Sequence, residues 1–334
     1  ADRFHAVGPI HPETGLPVAP ERFGFTSVFA DEIRSLAATR EDIVGITAAM
    51  MQPVGLGPMH EAFPGRVIDV GIAEAEAVTS AAGMAYEGAH PVVALYATFL
   101  NRGFDQLLMD VALHRAGVTF ILDRAGITGS DGASHNGVWD IAMCSLIPGL
   151  RLAAPRDEDT LREELREAIS VDDAPTVLRY RKGALPEPMP ALRRVGDVDV
   201  LLDEEVAPCR ARVLIVGTGA CVPDAITAAR RLIDDGISVT VVDPRWLVPI
   251  SPDLASLALG FDAVIAVEDG IVQGGFGWAL RDSLFDAGIP VRCLGVPQVL
   301  PEHGDRSEMI KDFGYDADGI EAAVRAQVER LARC

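Results

Sequence analysis

Short apolar runs alternate with amphipathic segments along most of this 334-residue chain. The apolar runs are continuous, which is typical of strands that are buried on both faces of a parallel sheet. The segments between them carry apolar residues at helical spacing. This alternation predicts an α/β fold in which helices cover both sides of a sheet.

The first series of alternating elements occupies residues 22–181. Strands are predicted at 42–49, 66–71, 91–97, 118–126, 151–154 and 176–180, with helices from Phe25 onward and at 74–88, 99–117, 137–146 and 157–170. A Gly-rich loop, ITGSDGASHNG, separates two of these elements at 127–137. The series predicts a parallel sheet with helices on both faces.

The stretch 182–197, KGALPEPMPALRRVGD, interrupts the pattern with closely spaced prolines, which predicts an interdomain linker. The alternation then restarts, with strands predicted at 211–219, 238–244, 262–269 and 290–297, and helices at 219–235, 275–287 and 317–332. We therefore expect two doubly wound α/β domains, 22–181 and 198–334. The proline-containing stretch 1–21 reads as a linker from a preceding domain.

The charge balance narrows the possible partners. The formal net charge is −20, so the chain should repel nucleic acid and anionic membrane, and an anionic substrate would need a local basic pocket. No apolar run is long enough to span a membrane. The five cysteines are isolated, which argues against a structural zinc site or a disulfide scaffold and predicts a cytoplasmic protein without a metal site of its own.

Polar side chains occur where predicted strands end, the usual place for ligand sites in α/β sheets. Glu74 and Glu76 stand where a helix starts, so one carboxylate could act chemically or both could favour the helix N-terminus. Tyr96, Phe99 and Arg102 have a spacing that could place them on one helical face. An aromatic ring there could stack on a flat ligand, and the arginine could hold a phosphate or a carboxylate.

The loop 123–137 carries Asp131 and His135 among glycines and serines. Each side chain could hydrogen-bond a polar substrate. Alternatively, Asp131 could form an Asx turn and His135 could lie at a helix start. The residues themselves leave both interpretations open.

Six motifs in order, DVGIAE, TFLNRGFDQ, LDRAGITGSDGASHNG, RYRKG, DPRWLVPI and EHGD, resemble the 1-deoxy-D-xylulose 5-phosphate synthases. These are thiamine-diphosphate enzymes of the transketolase superfamily. The resemblance covers nearly the whole chain and corresponds to the last two of the family's three domains, the pyrimidine-binding and C-terminal domains. The domain without a counterpart here holds the cofactor diphosphate and Mg²⁺, so the resemblance implies an N-terminal partner domain or subunit.

The resemblance also assigns roles to individual residues. Glu74 matches the glutamate that contacts the cofactor's pyrimidine nitrogen and promotes proton removal, and Phe99 matches the aromatic ring that stacks on the pyrimidine. Arg102 and Lys182 match positions that clamp the phosphate of glyceraldehyde 3-phosphate, which the family condenses with pyruvate, with loss of CO₂, for isoprenoid precursors. Tyr96, Asp131 and His135 match substrate-binding positions, and His135 is a candidate for proton transfer. The family implies a homodimer or, with a separate subunit, a heterotetramer.

The chain departs from the family pattern near the predicted site. Ala75 and Glu76 replace a Gln-His pair, Ala97 stands where serine is usual, and Arg181 replaces a proline. Two alternatives therefore stay beside the synthase interpretation: a paralogue in specialised metabolism that acts on another donor or acceptor, and a non-catalytic partner subunit.

Overall fold

The computed structural model describes residues 12–13 and 24–333. Apart from residues 12–13, the predicted linker 1–21 lies outside the described part. Two β-sheets flanked by helices make up the described chain, which confirms the predicted α/β fold with two sheet-centred units. The boundaries predicted for the two domains remain a prediction.

The strands are β1 (Ile43–Thr47), β2 (Val67–Asp69), β3 (His90–Tyr96), β4 (Thr119–Asp123), β5 (Arg151–Ala153), β6 (Thr176–Tyr180), β7 (Arg193–Val195), β8 (Val198–Glu204), β9 (Arg212–Gly217), β10 (Ser238–Asp243), β11 (Trp246–Val248), β12 (Ala263–Ile271) and β13 (Val291–Val296). The α-helices are α1 (Phe25–Thr39), α2 (Gly57–Ala62), α3 (Glu74–Tyr86), α4 (Phe104–Gln106), α5 (Asp140–Cys144), α6 (Glu158–Ile169), α7 (Val222–Ile233), α8 (Pro252–Ala258), α9 (Phe276–Ser283), α10 (Arg306–Phe313) and α11 (Ala317–Leu331).

The first sheet has the strand order β11-β5-β6-β4-β3-β1-β2. All of its pairings are parallel except β11 with β5, so the prediction of a purely parallel sheet was wrong at one edge. Strand β11 comes from the second half of the chain. An antiparallel edge strand is a common addition to a parallel sheet, because the edge of the sheet is free to accept a strand of either direction.

The second sheet has the order β13-β12-β9-β10-β8-β7. Its β7 and β8 form an antiparallel hairpin, with Val195 paired to Val198 across Gly196 and Asp197. Gly196 has φ +58°, and any side chain there would overlap the Asp253 carboxylate. The last part of the stretch predicted as linker, 193–197, is therefore sheet and turn. A Gly-Asp pair directly before the apolar strand β8 is a hairpin-turn signal that the sequence does contain.

The segment predicted as one helix over 99–117 is broken into three kinds of turn. Residues Ala97–Gly103 form a 3₁₀ helix, α4 follows as a single α turn, and Leu107–Ala112 are π-helical. Gly103 lies against α3, where an added Cβ would stand 2.8 Å from a Val78 methyl group and 3.4 Å from the Glu74 carbonyl oxygen. This close approach fixes the segment against α3. Helices α2, α8 and α10 were not predicted.

The two sheets share apolar packing and a buried ionic cluster. One hydrophobic cluster contains residues of both sheets, including Leu152, Val200 and Leu247. Beside it, the Arg156 guanidinium donates to the Asp199 carboxylate at 2.7 Å and to the Asp243 carboxylate at 2.9 Å. Because the arginine follows a strand of the first sheet and both aspartates belong to the second, the cluster fixes one sheet against the other. No helix within residues 12–13 and 24–333 is long and apolar enough to cross a membrane.

Helix α6 buries a carboxyl group that makes no hydrogen bond. Glu164 is fully buried and neither carboxyl oxygen has a partner within the described residues. Burial, with a further contribution from Asp243, raises its pKa well above the usual range of a glutamate. A raised pKa in the folded state means that stability is fully present below the unfolded pKa and is lost as the pH rises through the folded pKa.

We therefore expect Glu164→Met to flatten the pH dependence of stability. Urea denaturation should show that the free energy of unfolding of the variant, relative to that of the parent, is about 1–3 kcal/mol higher at pH 8 than at pH 5.5. The reason is that only the parent must keep a proton on a buried carboxyl group as the pH rises. Asp159→Asn, an exposed change on the same helix, serves as the control. Parallel pH profiles for the parent and Glu164→Met would contradict the expectation.

Candidate active site

A cavity of about 380 Å³ opens at the carboxyl edge of the first sheet. Its lining follows the ends of β1, β2, β3 and β4: Ala48, Ala49, Met50, Pro53, Ile72, Glu74, Tyr96, Phe99, Arg102 and His135. The carboxyl ends of parallel strands meet at one edge, which brings together loops that are distant in sequence. The volume is in the range of small-molecule sites, which run from about 300 to 1,000 Å³.

Glu74 is the first residue of α3 and is 5% exposed. The turn that leads to it is fixed by Asp69, whose carboxylate accepts hydrogen bonds from the amides of Ala49 and Gly71. Gly71 has φ +73°, a conformation that glycine adopts without strain. The end of β1 and the start of α3 are thus joined through one aspartate, which places the Glu74 carboxylate on the cavity wall.

The residues Tyr96, Phe99 and Arg102 share one face of the 3₁₀ segment. Residues three apart eclipse each other in a 3₁₀ helix, so the predicted common face exists, although the helix is not an α-helix. The rings of Tyr96 and Phe99 are stacked, with centroids 5.8 Å apart and an interplanar angle of 12°. The Arg102 guanidinium carbon lies 5.4 Å from the centre of the Phe99 ring.

Arg102 and Glu74 form an ion pair across the cavity wall. The Arg102 Nη1 atom lies 3.3 Å from one Glu74 carboxyl oxygen and 3.4 Å from the other. The arginine side chain is 58% exposed, whereas the glutamate is buried. The carboxylate therefore lies deeper in the wall, and the cation lies nearer to the solvent.

The Gly-rich loop brings His135 to the cavity. Its base is closed by mutual backbone hydrogen bonds between Gly126 and Gly137, and Gly137 is packed so closely against Ala97 that no side chain fits there. The Thr98 hydroxyl donates to the Ser134 carbonyl oxygen at 2.9 Å, which ties the loop to the 3₁₀ segment. As a result, the His135 ring meets the edge of the Phe99 ring at a centroid distance of 5.7 Å.

Asp131 and Lys182 are brought together, but they do not line the cavity itself. The Lys182 ammonium donates to one Asp131 carboxyl oxygen at 2.5 Å. The other carboxyl oxygen lies 3.8 Å from Nε of Arg124, whose guanidinium carbon sits 3.9 Å from the centre of the Tyr96 ring. The two residues thus form a charged group that adjoins the cavity through Arg124 and Tyr96.

Arg124 was missed by the sequence-based prediction. Its position directly after β4 was the available signal, since Tyr96 lies at the corresponding end of β3. Two residues that were predicted to depart from the family pattern also have defined positions. Glu76 is exposed on α3 and accepts a hydrogen bond from Ser80, and Ala97 is buried beneath the loop. Glu76 therefore does not line the cavity.

The cavity wall suits a flat, nitrogen-containing ring. The aromatic face of Phe99 offers a stacking surface, and the buried Glu74 carboxylate can accept a hydrogen bond from a ring nitrogen. Apolar side chains such as Met50 and Ile72 complete the wall. This combination fits the aminopyrimidine end of thiamine diphosphate.

Two known domain families match this chain. Residues 22–188 match the family described as transketolase, pyrimidine binding domain, and residues 205–320 match transketolase, C-terminal domain. The chain belongs to the transketolase family, of which it carries these two domains. This confirms the resemblance found in the sequence motifs.

Individual relatives are similar to this chain along almost its whole length. The chain is 53% identical over 335 residues to 1-deoxy-D-xylulose-5-phosphate synthase 2 of Streptomyces coelicolor, with 99% of this chain and 52% of the relative covered. It is 52% identical over 332 residues to the 1-deoxy-D-xylulose-5-phosphate synthase of Corynebacterium glutamicum, with 98% of this chain and 52% of the relative covered. The chain spans about half the length of these relatives.

Solved structures show the same fold. A split-gene transketolase, an inactive β4 tetramer, matches with a TM-score of 0.78 and 26% identity, covering 90% of this chain and 97% of that one. The transketolase of Campylobacter jejuni matches with a TM-score of 0.72 and 18% identity, covering 90% of this chain and 46% of that one.

Proposed function

We propose that this chain is the C-terminal part, or the corresponding subunit, of a thiamine-diphosphate-dependent 1-deoxy-D-xylulose 5-phosphate synthase. The enzyme condenses pyruvate with glyceraldehyde 3-phosphate and releases CO₂. The observation that carries the proposal is the convergence of Glu74, Phe99 and Arg102 on one cavity, in a chain 53% identical to a synthase of that name. Glu76 lies outside the cavity, so it gives no support to a changed substrate.

Thiamine diphosphate supplies the carbanion chemistry at its thiazolium ring. Glu74 holds or moves the proton at the pyrimidine nitrogen, and Phe99 orients the pyrimidine by stacking. Arg102 and Lys182 bind the phosphate of the aldehyde substrate. Tyr96, Asp131 and His135 position the substrates, with His135 as a proton-transfer partner. The proposal is supported by the placement of all seven side chains at one edge of the sheet.

The site is completed by an N-terminal half that holds the cofactor diphosphate and Mg²⁺. This part of the proposal rests on the share of the relatives that the chain covers, about half. The structural match to a split-gene transketolase that is inactive as a β4 tetramer supports the same view. We also propose that the complete enzyme is a cytoplasmic homodimer or, if the two halves are separate subunits, a heterotetramer.

The test is complementation. The 334-residue chain alone should not turn over pyruvate and glyceraldehyde 3-phosphate, because half of the cofactor site is supplied elsewhere. Fused to the N-terminal half of the Streptomyces coelicolor relative, it should release CO₂ and form 1-deoxy-D-xylulose 5-phosphate, measured by coupled assay and mass spectrometry. Turnover by the chain alone would refute the split-site proposal, and a fused enzyme that prefers another aldehyde would favour the paralogue.

A further inference from the structure

A buried carboxylate lies directly beneath the charged group beside the cavity. Tyr96, Asp123 and Tyr180 are in register at the ends of β3, β4 and β6, so Asp123 lies between two tyrosines in the sheet. It is 1% exposed, and its Oδ2 atom accepts a hydrogen bond from the Thr26 hydroxyl of α1 at 2.5 Å. Its Oδ1 atom makes no hydrogen bond within the described residues. A buried charge of this kind is costly unless it is paired with an opposite charge.

The neighbouring cation is Arg124, whose backbone adopts the left-handed conformation with φ +59°. Its Nη1 atom lies 3.5 Å from Asp123 Oδ1, and its guanidinium carbon stands 3.9 Å from the centre of the Tyr96 ring. Nonglycine residues adopt this backbone conformation rarely and at a cost of about 1 kcal/mol or more. The contacts with Asp123 and Tyr96 hold the side chain in place against that cost.

The side chains of Asp123, Arg124, Asp131 and Lys182 lie next to one another and alternate in charge. We call these four residues the charged row. Arg124 lies 3.8 Å from Asp131, which in turn accepts from Lys182. The side chains of the two cations are 19% and 40% exposed, while Asp123 has almost no exposure. The cations can therefore meet an anionic ligand, whereas Asp123 can act only through Arg124.

We propose that Asp123 is a positioning residue that orients the Arg124 guanidinium, so that Arg124 adds a third cation to Arg102 and Lys182 at the phosphate monoester of a substrate. This proposal rests on the proposed function for its ligand class. A planar guanidinium binds phosphate well only when its orientation is fixed. Asp123 supplies that orientation from beneath, with Thr26 fixing the carboxylate from α1.

The positioning depends on the charge of Asp123. Four groups face the Asp123 carboxyl group. Thr26 belongs to α1, Arg124 directly follows Asp123 in the chain, Tyr180 is the last residue of β6, and Lys182 follows β6. Burial raises the pKa of Asp123 to about 6, although Arg124, Thr26 and Lys182 oppose the shift. Below that pH the carboxyl group is neutral, and its hold on Arg124 is lost.

The test measures binding of sn-glycerol 3-phosphate, an unreactive phosphate monoester, to the 334-residue chain by calorimetry at pH 7.5. Asp123→Asn keeps an acceptor for Thr26 but removes the charge, and should raise the Kd roughly tenfold. Arg124→Gln should do the same. Because Asp123 acts through Arg124, the double variant should bind no worse than Arg124→Gln alone. Thr26→Val, a milder change, should shift the Kd in the same direction.

Two further readouts separate positioning from a structural role. Asp123→Asn should melt no lower than the parent at pH 7.5, because the ionised buried carboxylate itself opposes folding above its pKa of about 6. The ratio of the variant and parent Kd values should fall toward one as the pH drops from 7.5 to 5, and ligand ionisation cancels in that ratio. Asp140→Asn, which removes another buried aspartate paired with Arg179, should leave the Kd unchanged.

Three outcomes would overturn the proposal: no binding of the probe by the parent chain, an unchanged Kd in Asp123→Asn, or additive losses in the double variant. None of these measurements uses turnover. A chain that shows the expected binding cycle, yet forms no deoxyxylulose phosphate when fused to an N-terminal half, would refute the proposed function and keep the positioning role.

Discussion

Glu74→Gln is expected to lower kcat of the fused enzyme by roughly 10²–10⁴-fold, the usual contribution of a positioned acid or base. The substitution keeps the shape of a side chain that is 5% exposed and removes only its ability to take and release a proton. Its ion-pair partner Arg102 is mostly exposed, so folding should be little affected. Steady-state kinetics with a parallel thermal melt would measure both effects.

The same helix offers a matched control. Glu76 is two residues further along α3, is exposed, and bonds to Ser80 rather than facing the cavity. Glu76→Gln makes the same chemical change and should leave kcat and KM as they are. Full activity in Glu74→Gln would instead favour the interpretation of this chain as a non-catalytic partner.

Arg156→Met should lower the free energy of unfolding strongly. Arg156 is 4% exposed and is bonded to Asp199 and Asp243, both fully buried. Removing the guanidinium leaves Asp243 without a cation in contact among the described residues, and leaves Asp199 with Arg194 alone. Breaking a buried ion pair by removing one partner costs about 3–5 kcal/mol. Urea denaturation at pH 7.5 would measure the loss.

Arg231 provides the comparison at the surface. It also bonds to two carboxylates, Asp318 at 2.7 Å and Glu321 at 3.3 Å, but all three groups lie in water-accessible positions. Arg231→Met should therefore leave the denaturation midpoint nearly unchanged, since solvent screens exposed pairs. Equal losses in the two variants would show that burial does not determine the strength of the Arg156 cluster.

Local signals predicted most of the strands but did not predict their partners. The apolar run at β4 and the amphipathic run at α6 are evident in sequence, because burial on one or two faces imposes a period. The edge strand β11 gave no such signal, since three residues, WLV, are too few to show a period. Its place beside β5 depends on packing between the two halves of the chain.

The candidate site shows the same division. Resemblance in the motifs predicts functional roles for Glu74, Phe99 and Arg102, and the structure brings the three side chains to one cavity. Spacing alone predicted a common face for Tyr96, Phe99 and Arg102, although it assumed the wrong helix type. Arg124 escaped notice because its role depends on the ring of Tyr96, a residue from the neighbouring strand.

The sequence by itself determined the α/β class, the alternation of strands and helices, and the family, because these depend on local periodicity and on motifs that are continuous in the chain. Tertiary structure alone decided that Glu76 faces solvent, that Asp131 pairs with Lys182, and that Asp123 lies beneath Arg124. The physical reason is that charges interact through distance and burial, and both are set by contacts between segments far apart in sequence.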